Sequence, residues 1–195
     1  MLMLGLVAVG TLAANGARQL RYTAIAFLGV ALAAQLLGGP SVSLSQVSVS
    51  AAAAIVAAAV LFIAARDRRF GEDPGWRLWI ATVVAAATTA MAFAYLRTTA
   101  NEDVRLTVIG EDPSGVVQEA AAFWLLSSGI AILLTARGAV RGSLGALLMI
   151  TGTQLLVRLV PGPQFAYTLM LAWLEVVVAL AGAFLVVNER AVRET

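Results

Sequence analysis

Cysteine, histidine and lysine are all absent from this chain of 195 residues. Without cysteine there is no disulfide, no thiolate nucleophile and no iron–sulfur ligation by this chain. Without histidine, the usual haem ligand and the commonest general base are gone as well. Charge is scarce: Asp, Glu and Arg together make up 12% of the residues, about half of what a soluble domain carries. All 13 basic residues are arginine. They are scattered among short loops, so the net charge of +2 does not read as nucleic-acid binding. Also missing are the phosphate-binding glycine loop, the HExxH zinc motif, the GxSxG elbow and a dinucleotide fingerprint after a strand. No stretch is long enough to form a soluble catalytic domain, so catalysis by this chain alone is not expected, and no cofactor site is expected within it.

What remains is apolar. Hydrophobic residues make up 61% of the chain, and the mean hydropathy is +0.90. That composition belongs to an integral membrane protein whose helices pack on one another inside lipid. Runs of about 17–25 apolar residues bounded by charge, proline or glycine read as membrane spans. Seven such segments are expected, at 1–14, 22–38, 46–65, 78–96, 116–136, 143–160 and 165–187. The first is short but lacks the basic flank of a signal peptide, so a retained helix is expected. Barrel-type alternation is absent. The expected fold is an all-α transmembrane bundle of seven spans. It divides into a four-helix segment with an outer acidic loop (1–115) and a three-helix module (116–195).

The arginines set the expected orientation. One set of loops holds ten of them: Arg18, Arg21, Arg66, Arg68, Arg69, Arg77, Arg137, Arg141, Arg190 and Arg193. The opposite set holds three: Arg97, Arg105 and Arg158. The N-terminus is therefore expected outside and the C-terminus in the cytoplasm, with Trp76 and Trp79 as interfacial anchors. The arginine-only, Ala-, Val- and Gly-rich makeup suggests a GC-rich bacterial genome, hence a bacterial cytoplasmic membrane. The loop 97–115 carries two acidic pairs, Glu102/Asp103 and Glu111/Asp112, and reads as a solvated loop rather than as a cation site. "PSVSLSQVSVS" (40–50) reads as a polar outer loop leading into the third span. An internal echo joins "AQLLGGP" at the end of span two to "TQLLVRLVPGP" at the end of span six, consistent with a parallel three-helix duplication.

Polar residues within the spans carry what functional signal there is. Glu175 stands out, in "MLAWLEVVVALAG", near the middle of the last span. On insertion scales an acid there costs about 2.5–3.5 kcal/mol, so it reads either as a functional proton carrier or as a hydrogen-bonded packing carboxyl. Glu119 lies about one turn inside span five and reads as an interfacial carboxylate or as a further relay. Thr151, Thr153 and Gln154 fall within one turn of span six and could make polar contacts across helices. Gln35 belongs to the same polar set, and Thr88, Thr89, Ser127 and Ser128 read as hydroxyls back-bonding to their own helix. Arg158, at the outer end of span six, is not at the depth of Glu175. The acid is therefore expected to be neutral or to meet a cation from another subunit.

The stretches "ARGAVRGSLGALLMITGTQLLVRLVPGPQ" and "LMLAWLEVVVALAGAFLVVNER" resemble the end of component E of the group-four membrane-bound hydrogenases. That module is related to the K-type subunit of respiratory complex I and the C subunit of Mrp antiporters. "GLVAVGTLAANGARQLRYTAIAFLGVALAAQLLGG" is similar to the N-terminal extension of the same family. The resemblance implies a non-redox membrane subunit of a hydrogenase-like or complex-I-like assembly. It also implies antiporter-like and anchoring membrane subunits as partners, with nickel–iron and iron–sulfur centres carried by partners. It implies an acid of a proton path at Glu175, with Gln154, Thr151, Thr153 and Glu119 as further relay candidates. Two departures accompany it: apolar Leu147 or Ile150 stands where the family has an acid, and span three lacks the family's lysine. Two other functional readings stay open, an independent small proton-coupled transporter and a membrane assembly or anchoring protein.

Overall fold

The computed structural model describes residues 2–17, 19–37, 43–65, 75–99, 113–159 and 164–193. Seven helices account for nearly all of them: α1 (Leu2–Gly16), α2 (Leu20–Leu36), α3 (Leu44–Ala64), α4 (Gly75–Thr99), α5 (Pro113–Thr135), α6 (Ala139–Val157) and α7 (Gln164–Arg193). Alanine, leucine and valine runs with no interior proline favour helix throughout, and in lipid the helix is also the way a lone segment satisfies its own backbone. Five helices, α3 to α7, are long and apolar enough to cross a membrane. α1 and α2 are apolar but shorter, at 15 and 17 residues.

Each expected span falls on a helix, and the boundaries move where a cap or a turn decides them. The segment 40–50 is not a loop throughout. Ser43 caps α3 by accepting from the Gln46 N–H at 3.3 Å, so the helix begins at Leu44. Gln46 and Ser50 consequently lie inside α3 and are buried. α6 likewise starts at Ala139, after the extended Gly138, and takes Arg141 into its first turn. The acidic pairs of 97–115 at Glu102, Asp103, Glu111 and Asp112 lie outside the described residues.

The helices pack in a pattern that occurs twice. α1 lies on α2 and α2 on α3; α5 lies on α6 and α6 on α7. Across the two triplets, α1 meets α5, α2 meets α6 and α3 meets α7. Gln35 and Gln154, the glutamines of the internal echo, are 119 residues apart and hydrogen-bonded to each other. The same shift relates a close helix contact in each triplet. A Cβ on Gly10 of α1 would stand 2.6 Å from the Val30 side chain of α2. A Cβ on Gly129 of α5 would stand 2.6 Å from the Met149 side chain of α6. Gly10 matches Gly129 and Val30 matches Met149 in the echo, so the same shift relates packing contacts as well as sequence. α4 stands outside both triplets, against α5 and α1, and its apolar surface is mostly uncovered.

The α5–α6 pair is the most extensive of these contacts, and there glycine faces glycine. A Cβ on Gly145 would come 2.7 Å from the Gly129 carbonyl oxygen, and one on Gly129 would come 2.6 Å from that of Gly145. Close backbone approach of this kind is a main source of helix association where lipid removes the hydrophobic drive. Around it lies the largest apolar cluster, which includes Phe27, Leu125, Leu144, Leu147 and Leu148. Gly129→Ala should therefore destabilise the protein by about 1–3 kcal/mol, the usual range for overpacking. Gly5→Ala, with nothing within 4 Å of the added methyl, should not lower stability. Thermal unfolding of both variants in one detergent tests this, and equal midpoints would refute the glycine contact.

Candidate functional site

Glu175 sits 11 residues into α7, so it lies about 16 Å along the helix from Gln164 at 1.5 Å per residue. Its side chain is only 1% exposed. The face that carries it, with Thr168, Ala172, Ala179 and Val186 also buried, is turned inward, while Trp173, Leu180 and Phe184 stay exposed on the other side. The acid thus faces the bundle and not lipid. Its Oε2 accepts a hydrogen bond from Gln154 Nε2 at 3.2 Å. Its Oε1 is buried with no hydrogen-bond partner among the described residues.

From Gln154 the contacts continue upward. Gln154 Oε1 accepts from Gln35 Nε2 at 3.2 Å, joining α6 to α2. Gln35 Oε1 in turn accepts from the Arg158 guanidinium. Arg158 is the C-cap residue of α6, 8% exposed, and it also donates to Ser50 Oγ at 3.4 Å on α3. Ser50 back-bonds to the Gln46 carbonyl at 3.0 Å, and Gln164 at the head of α7 donates to the Arg158 carbonyl at 3.3 Å. Four helices therefore converge on one buried polar string: α2 supplies Gln35, α3 Ser50, α6 Gln154 and Arg158, and α7 Glu175.

The other relay candidates lie apart from this string. Thr151 and Thr153 each bond back to their own helix, to the Leu147 and Met149 carbonyls at 3.0 and 2.9 Å. Hydroxyls in helix interiors commonly do so, since the carbonyl one turn back is always within reach. Thr88 and Thr89 do the same on α4. Glu119 is fully buried on α5, next to Gln118, whose amide donates to the Leu155 carbonyl of α6 at 3.0 Å. Ser128 lines a small, partly open pocket with Thr11, Asn15 and Trp124, between α1, α4 and α5. Among the described residues no group of three or more acids could hold a metal ion.

Three members of the string, Gln35, Ser50 and Arg158, are not among the relay residues expected from the sequence. The signal for Gln35 was already in the sequence, since it is the echo partner of Gln154, but an echo does not say that the two copies touch. Arg158 was placed by the depth of its backbone. Its long side chain reaches inward from the end of α6, as arginine can. Gln154→Leu removes a donor to Glu175 and an acceptor from Gln35 together. Interhelical hydrogen bonds in membranes are worth about 0.6–1.7 kcal/mol each, so a loss of about 1–3 kcal/mol is expected. Thr153→Val, which touches only its own helix turn, should change stability far less. Reversible unfolding in detergent distinguishes the two, and equal effects would contradict the string. No family model matches this chain, and neither a curated protein nor a solved structure matches it.

Proposed function

We propose that the chain is a non-redox integral subunit of a multi-subunit membrane assembly of the group-four hydrogenase or complex I kind. In this reading Glu175 is a proton-exchanging carboxyl of the membrane arm. The observation that carries the reading is the carboxyl itself: buried within the apolar part of α7, held through one oxygen by Gln154, with the other oxygen unclaimed among the described residues. A carboxyl kept only for packing gains most when both oxygens are bonded, because an unmade buried hydrogen bond costs about 1–3 kcal/mol. One open oxygen leaves room for a proton to arrive and depart. The resemblance of 127–190 to the last three helices of component E supports the same role and the same position for the acid. Nickel–iron and iron–sulfur centres belong to partner subunits in this reading, and electrons do not pass through this chain.

The topology proposed is seven spans in a bacterial cytoplasmic membrane, N-terminus outside and C-terminus inside. α1 and α2, at about 22 and 25 Å, are short for a hydrocarbon core of about 30 Å. Local bilayer thinning and their packing within the bundle accommodate the difference. Exposed Trp76 and Trp79 at the start of α4 fit an interfacial belt at the arginine-rich end.

Labelling, co-purification and transport measurements check the proposal. In intact cells, Ser114→Cys should react with an impermeant thiol reagent and Ala139→Cys should not; the reverse pattern would overturn the orientation. Gently solubilised, the chain should travel with other membrane subunits, and Glu175→Gln should assemble with them yet lower proton translocation coupled to electron transfer. Undiminished translocation in the assembled Glu175→Gln complex would remove the relay role, and ion transport by the chain reconstituted alone would favour the independent transporter.

A further inference from the structure

From the buried string we infer that Arg158 is the built-in counter-charge of Glu175, coupled to it through the two glutamine amides. The four side chains then act as one bridged ion pair, and Gln35 and Gln154 carry polarisation and not protons. The inference concerns residues of this chain alone and stands whatever partners the chain has.

The direction of every hydrogen bond supports it. Arginine has only donors, so the atom of Gln35 that meets it must be the amide oxygen. That leaves the Gln35 NH₂ to face Gln154, which must then present its own oxygen, as it does at 3.2 Å. The Gln154 NH₂ is left to face Glu175, and it donates to Oε2 at 3.2 Å. An ionised carboxylate has only acceptors, so the same orientation follows when the string is traced from the other end. Turning either amide alone would set two donors or two acceptors against each other in a buried place. The two amide dipoles are therefore aligned head to tail between a cation and an acid, an arrangement in which each bond strengthens the next.

Burial gives this coupling weight. Arg158 and Glu175 are 8% and 1% exposed, and Gln35 and Gln154 are 5% and 2%. In so dry a setting, charges interact over longer distances than they do in water. Neither charge has another ionised partner among the described residues: Arg158 otherwise meets Ser50 and leaves Nε and Nη1 without acceptors, and Glu175 meets only Gln154. A guanidinium so buried calls for a negative charge, and the string leads to one.

The bridge also restricts how a proton reaches Glu175. An amide that took a proton on its oxygen and released one from its nitrogen would be left as an imidic acid, so the string does not conduct protons from the Arg158 end. Exchange at Glu175 takes place at Oε1, the oxygen that Gln154 leaves open. Gln154 and Gln35 are thus positioning residues for the carboxyl.

The test is infrared difference spectroscopy on the full-length chain in nanodiscs, with whatever subunits travel with it. The Glu175 carboxyl band is identified by its loss in Glu175→Gln. Arg158→Gln should displace that band, Arg158→Lys should return it towards its parental position, and Gln35→Leu should displace it while leaving both charges in place. A band unmoved by Arg158→Gln or by Gln35→Leu overturns the coupling. Should Arg158→Gln unfold, the thermal midpoint decides instead. The double variant Arg158→Gln/Glu175→Gln, with neither charge left, should melt well above the single Arg158→Gln variant. A double variant that melts no higher than Arg158→Gln overturns the inference. Neither outcome depends on proton pumping, so a failed pumping assay would leave this result to be read separately.

Discussion

A carboxyl in the middle of an apolar helix needs partners, because nothing in hydrocarbon can replace the water it leaves behind. Much of the arrangement around Glu175 follows from that need. α7 turns its acid towards α6, where Gln154 waits one helix width away. Gln154 has a second polar end to satisfy, and that end brings α2 into register through Gln35. Gln35 needs a donor, which Arg158 supplies from the end of α6, and Arg158 reaches Ser50 on α3. Satisfying one acid thus fixes the mutual placement of four helices, and the apolar packing of Phe27, Leu147 and Leu148 fills the space around them.

The echo pairs parts of this string across the two triplets. Gln35 and Gln154 are equivalent members of the two triplets, and they meet face to face at the junction of α2 and α6. A glutamine pair can satisfy itself with no charge present. The charges belong to the second triplet only: Arg158 follows Gln154 in the echo, whereas glycine occupies the corresponding place after Gln35. Asymmetry of this kind turns a neutral amide contact into a polarised one. The glycine contacts of Gly10 with Val30 and of Gly129 with Met149 place a similar close approach in each triplet, while the polar centres differ.

The helices themselves were legible from composition, since long apolar runs broken by arginine, glycine and proline leave little alternative to a bundle. Glu175 was legible for the same reason: one acid in an otherwise apolar stretch is hard to miss. Boundaries were less so. The serine-rich segment before α3 looked like a loop because its residues are polar, yet Ser43 caps the helix and the polar side chains of Gln46 and Ser50 turn inward. Clustering along one turn of α6 also misled, because Thr151 and Thr153 bond to their own helix and only Gln154 crosses to another. The partner of Glu175 was hidden by a different limit. Sequence position gives the depth of a backbone, and Arg158 acts from another depth through its own length and two amides.

The central claim is that Gln35 and Gln154 join the cation at the end of α6 to the acid within α7. Solid-state magnetic resonance on protein carrying ¹⁵N in glutamine side chains and ¹³C in glutamate carboxyls measures the last link without any assay of function. The account predicts a short-range nitrogen–carbon correlation for Glu175 that disappears in Gln154→Leu and persists in Thr153→Val. Absence of that correlation in the parent protein, or its survival in Gln154→Leu, would contradict the bridge.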